Sequence, residues 1–116
     1  MSAVLEADEQ AIVDLVSAFV DDRVRPRVRD YESVDAYPEE LIDGMKALGF
    51  FGLLVPEEYG GQGLPYSMAL ISSEMSATAN WTWTMYPGLS KGAINTIFSH
   101  CTEELKDKYL PPLVSG

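Results

Sequence analysis

Between Phe50 and Pro65 the chain carries four glycines and two prolines. No regular helix survives that density of residues lacking either a Cβ or an amide hydrogen. The first half, Phe50-Phe51-Gly52-Leu53-Leu54-Val55, is as apolar as a core strand, so the expectation is a buried connection followed by a glycine-rich loop. Gly60-Gly61-Gln62-Gly63 invites a phosphate-binding reading. It lacks both the Lys-Ser/Thr of a nucleoside-triphosphate loop and the strand-turn-helix setting of a dinucleotide fingerprint, and it reads as a tight surface turn.

The flanks are helical. Ile12, Leu15, Val16, Phe19, Val20 and Val24 recur at helical spacing, with Asp8, Glu9, Asp14, Asp21 and Asp22 on the other side, which predicts an amphipathic first helix. Pro26 should end or kink it, with residues 26–32 continuing as an extension or a second short helix. Pro38-Glu39-Glu40 suits a helix start, Leu41, Ile42, Met45 and Leu48 form its buried stripe, and Gly49 is the natural stop. Residues 66–77 give a helix with Met68, Ala69, Ile71 and Met75 inward and Glu74 as its only charge, expected to be the most central. Beyond a capping Asn80, residues 81–86 alternate as a strand would. No second candidate strand is long enough to pair with them, so a helix is preferred. Helical spacing resumes from Leu89 through Ala93, Ile94, Ile97 and Phe98. Thr102 opens a last helix with Leu105, Tyr109 and Leu110 inward before Pro111-Pro112, after which residues 113–116 read as the start of a linker. The expected fold is therefore all-α: one compact, bundle-like domain of five to six helices.

Charge and composition narrow the function classes. Eighteen acidic residues against eight basic ones give a net charge of −10, which disfavours nucleic acid and anionic lipid as partners. No apolar run approaches the roughly 20 residues of a membrane span. The N-terminus lacks the basic start and apolar stretch of a signal peptide, so a cytoplasmic setting is expected. Cys101 is alone, and a metal site would have to recruit His100, the only histidine, plus carboxylates; no metal site is expected. Arg23, Arg25, Arg27 and Arg29 could form an anion site. With Asp21, Asp22, Asp30 and Glu32 around them, an ion-paired solvated face is the preferred reading. The carboxylate pairs Glu39-Glu40, Glu57-Glu58 and Glu103-Glu104 adjoin helix starts or turns and are read as structural, so no catalytic residue is expected within the chain.

Two long motifs carry more. The run Leu48-Gly49-Phe50-Phe51-Gly52-Leu53-Leu54-Val55-Pro56-Glu57-Glu58-Tyr59-Gly60-Gly61-Gln62-Gly63 is followed, beyond the helix with Glu74, by Thr102-Glu103-Glu104-Leu105-Lys106-Asp107-Lys108-Tyr109-Leu110-Pro111-Pro112-Leu113-Val114-Ser115-Gly116. Together they resemble the acyl-CoA dehydrogenase family. The resemblance implies that residues 1–116 are its N-terminal helical domain, ending on the family's usual domain junction. Family members continue into a β-domain that holds much of the flavin site and a second helical bundle that carries the catalytic glutamate. It implies that the complete enzyme, a homo-oligomer, removes two hydrogens from an acyl-CoA thioester: a carboxylate takes the α-proton while FAD accepts a hydride from the β-carbon. FAD is expected in that complete enzyme and not on this chain alone.

Matching back from Tyr109 places Thr84, Met85, Gly88 and Gly92 where the family lines its acyl tail, with Trp83, Tyr86 and Leu89 nearby. Bulky aromatics beside glycines suit an apolar slot, although Trp81 and Trp83 serve equally well as core residues. The segment Met85-Tyr86-Pro87-Gly88-Leu89-Ser90-Lys91-Gly92-Ala93 is similar to the larger acyl-CoA dehydrogenases, among them long-chain and methylthiopropanoyl-CoA enzymes, which usually carry a further N-terminal segment. A stand-alone helical partner or interaction subunit without catalysis is the alternative. Without neighbouring domains, residues 81–89 are expected to drive self-association or to be partly disordered.

Overall fold

A computed structural model describes residues 5–116; the N-terminal reading, so far as it concerns residues 1–4, lies outside them. Six α-helices and no strand occur among the described residues. They are α1 (Ala7–Phe19), α2 (Val28–Ser33), α3 (Glu39–Ala47), α4 (Tyr66–Ala79), α5 (Trp81–His100) and α6 (Glu103–Ser115).

At the start of α1 the Glu9 carboxylate reaches back to accept the Glu6 N–H at 3.0 Å, satisfying one of the free amides of the first turn. A wide π-turn over Val20–Val24 follows, closed by the Arg25 N–H donating to the Val20 carbonyl at 2.9 Å. Residues four apart drift by about 40° on an α-helix; the wider turn offsets that drift and keeps Val16, Val20 and Val24 all buried. Leu15, expected in this stripe, sits beyond its edge and is 56% exposed. The chain turns at Pro26 into the short α2.

The connection after α3 is non-helical and buried in its first half, as its composition requires: Phe50, Phe51, Leu53 and Val55 are all in the core. Gly49 ends α3 with a φ of 69°, a left-handed conformation that favours glycine. The Gln62 side chain folds over it and donates to the Leu48 carbonyl at 2.7 Å. The Gln62, Gly63 and Leu64 amides donate back to the Gly52, Val55 and Leu53 carbonyls, each at 2.9 Å. Gly61 lies so close that a Cβ there would fall 2.0 Å from the Val55 carbonyl oxygen.

Three expectations are corrected in the second half. α4 is not buried on most sides: its inner stripe is Met68, Ala69, Ser72 and Ser76, while Tyr66 and Leu70 stand exposed. It shares the centre with α5. α4 packs on α1, the π-turn and α5, whereas α5 packs on α4, α6 and the 3-10 turn at Phe50–Gly52. The last helix also runs through Pro111-Pro112 to Ser115, so residues 113–115 are helix and not linker. The prolines leave the Asp107 and Lys108 carbonyls without intrahelical donors, but both residues are exposed and water can serve them. Finally, the inner face of α6 is Leu110 and Val114, with Leu105 and Tyr109 part-exposed, because Val114 is drawn in against Gly52.

Two apolar clusters result. The larger joins Val16, Val20, Val24, Leu41, Ile42, Met45, Phe50, Phe51 and Trp83. The smaller gathers Val55, Tyr59, Ile94, Leu110 and Val114. Helix α5 is the element that contributes to both.

Candidate functional site

The expected site residues all lie on α5, which is a single helix continuous through Pro87. Asn80 caps it as expected: its side-chain oxygen accepts the Trp83 N–H at 2.7 Å. The helical period then sorts the segment onto two sides. Trp83, Pro87 and Ile94 are buried, while Trp81, Met85, Gly88, Leu89 and Gly92 face outward.

Of the residues singled out, Met85, Gly88, Leu89 and Gly92 are brought together on one exposed face. Thr84 sits half-buried at its edge, its hydroxyl donating to the Asn80 carbonyl at 3.0 Å. Trp83 is not on this face. It is 1% exposed, its ring meets Phe19 and Phe50 at centroid distances of 5.9 and 6.0 Å, and its indole N–H points at the Leu41 carbonyl. Tyr86 also turns away, edge-on to Tyr37 at 5.4 Å, and burial raises its phenol above the ordinary value. A Cβ built on Gly88 or Gly92 would meet nothing within 4 Å, so both glycines face open space on the side that carries Trp81, Met85 and Leu89. The face carries no charge.

Three of the four arginines are engaged with carboxylates. Arg23 and Arg27 both bind Glu40, Arg23 at 2.5 Å, and Arg25 pairs with Asp21 at 2.8 Å. The Arg23 hydrogen bond, then that of Arg27, holds the Glu40 carboxyl below the usual carboxylate range. Arg23, Arg25 and Arg27 thus form an ion-paired face, although Glu40 takes the place expected of Asp22, Asp30 and Glu32. Glu103 accepts from Lys106 at 2.8 Å and from the Tyr59 hydroxyl at 3.0 Å. That second bond pushes the Tyr59 phenol up to about 12.

Among the described residues no three His, Cys, Asp or Glu side chains are placed to hold a metal, and no helix is long and apolar enough to cross a membrane. The glycine loop does not fit a flavin pyrophosphate. A phosphate cradle needs free amides, and those of Gln62, Gly63 and Leu64 are spent on the carbonyls of Gly52, Val55 and Leu53.

Residues 6–116 match the family model of the acyl-CoA dehydrogenase N-terminal domain. The chain belongs to that family. It is 32% identical to the mitochondrial isovaleryl-CoA dehydrogenase of Solanum tuberosum over 99% of its own length, and 32% identical to the glutaryl-CoA dehydrogenase of Desulfococcus multivorans over 97%. It spans only 29% and 30% of those two relatives. A glutaryl-coenzyme A dehydrogenase solved in complex with glutaryl-CoA superposes over 99% of this chain and 30% of that one, with a TM-score of 0.91 and 32% identity. The all-α fold and the relationship expected from the two motifs are both borne out.

Within the acyl-CoA dehydrogenase domain, one feature was left open by the sequence and one escaped it. Trp81, for which slot and core served equally well, is 68% exposed and extends the outward face; its spacing to Met85, Gly88 and Gly92 was the available signal. Lys91, the only acidic or basic residue of α5 other than His100, is half-buried at the helix edge against α4. A lone charge in an apolar segment has no periodicity to reveal it.

Proposed function

We propose that this chain is the N-terminal helical part of an FAD-dependent acyl-CoA dehydrogenase, residues 1–116, completed by a β-domain and a C-terminal helical bundle. The complete enzyme is a cytoplasmic homo-oligomer that removes the α- and β-hydrogens of an acyl-CoA thioester. FAD supplies hydride acceptance when bound and is held by those other domains. The α5 face of Thr84, Met85, Gly88, Leu89 and Gly92 forms one wall of the acyl-chain pocket. The observation that carries this reading is an uncharged, exposed face in which two glycines leave open space beside apolar side chains. Such a surface excludes water from an alkyl chain and sets the depth available to it.

The test is reconstitution. The chain is joined to the remaining domains of the Desulfococcus multivorans relative, loaded with FAD, and assayed by flavin bleaching against acyl-CoAs of increasing length. Gly88→Leu should cut kcat/KM for the longest accepted chain at least tenfold, with flavin content and short-chain activity unchanged. An unaltered length profile would remove α5 from the pocket wall.

A further inference from the structure

A groove of about 190 Å³ lies between α4 and α5. Leu54, Val55 and Leu70 give it apolar walls, Ser73 and Asn95 add neutral polar groups, and Lys91 is the only charged residue that lines it. The other three lysines are engaged: Lys46 with Asp43, Lys106 with Glu103, and Lys108 over the Tyr109 ring. Lys91 has no hydrogen-bond, carboxylate or aromatic partner among the described residues. An ammonium drawn partly out of water without a counter-charge is costly, and burial lowers the Lys91 pKa accordingly.

An apolar groove holding one unpaired cation complements an apolar stem that ends in an anion. We propose that this groove binds a short aliphatic carboxylate, its head on Lys91 and its stem against Leu54, Val55 and Leu70. The stem is short because the groove falls below the roughly 300–1,000 Å³ of sites for drug-sized ligands. The chain's net charge of −10 repels anions in general, so a preference for carboxylate has to originate at Lys91. The site is independent of the acyl-wall reading, since none of Thr84, Met85, Gly88, Leu89 or Gly92 lines it.

Amide NMR titrations of the full chain with hexanoate and with hexylammonium test this. Hexanoate should give saturable shifts at Leu70 and Ile94 and bind at least tenfold tighter than hexylammonium. Lys91→Arg should keep that margin and Lys91→Met should abolish or reverse it, with amides remote from the groove unshifted by the substitution. A margin below tenfold in the unsubstituted chain, or one that survives Lys91→Met, overturns the proposal. The first comparison needs no variant, so the test does not depend on how Lys91→Met folds.

Discussion

Trp81 and Trp83 stand two positions apart on α5 and meet opposite surroundings, 68% exposed against 1%. Two residues along an α-helix amount to roughly 200° of rotation, enough to place the same side chain in the core or in the open. The Trp83 side is closed by Phe19, Phe50 and Leu41. The Trp81 side pairs large apolar groups with glycines at which an added Cβ would meet only open space. One side of the helix specifies the domain, and the other supplies a surface the domain itself does not use.

The largest expected effect tests the buried side. Trp83→Ala should cost about 3–5 kcal/mol, as truncation of a core aromatic does, read from urea unfolding; a loss below about 1 kcal/mol would break the contrast. Next comes the open side. Trp81→Ser combined with Leu89→Ser should leave stability within about 0.5 kcal/mol while reducing concentration-dependent self-association in sedimentation velocity. Unchanged association would mean that this apolar face is not what brings copies together.

The smallest effect sharpens the comparison where α5 reaches the second cluster. The folded Tyr59 phenol lies at about 12 against an ordinary 10.0, so its contribution is complete below pH 10 and is lost as pH rises from 10 to 12. Tyr59→Phe should remove that part of the alkaline decline. Glu40 and Glu103 have lowered pKa values, the former chiefly through Arg23 and the latter chiefly through Lys106. Their contribution is present above 4.5 and is lost as pH falls below it. Both steps should be modest, because exposed ion pairs are solvent-screened.

Most helices were legible because period and punctuation agree: Pro26, Pro38, Gly49 and Asn80 stand where elements end or begin. The failures occur where distant packing overrides a local rule. Nothing near Pro111-Pro112 announces that Val114 will be held against Gly52, so the continued helix and its Leu110-Val114 stripe were invisible, and Leu105 and Tyr109 were placed inside. At the candidate site, Met85, Gly88 and Gly92 do share a face. Trp83 and Tyr86 had been grouped with them by adjacency along the chain, which roughly 100° of rotation per residue does not respect.

The glycine loop has a consequence for the timing of assembly. The backbone bonds that return Gln62, Gly63 and Leu64 to Gly52, Val55 and Leu53 close loops of about ten residues, a length that closes in roughly 10–100 ns. The contact of α6 with the turn at Phe50–Gly52, and that of α1 with α4, must bring together segments much farther apart in the chain, at a larger entropic cost. The middle of the molecule can therefore set its register first, and the outer helices then add to a seam already in place.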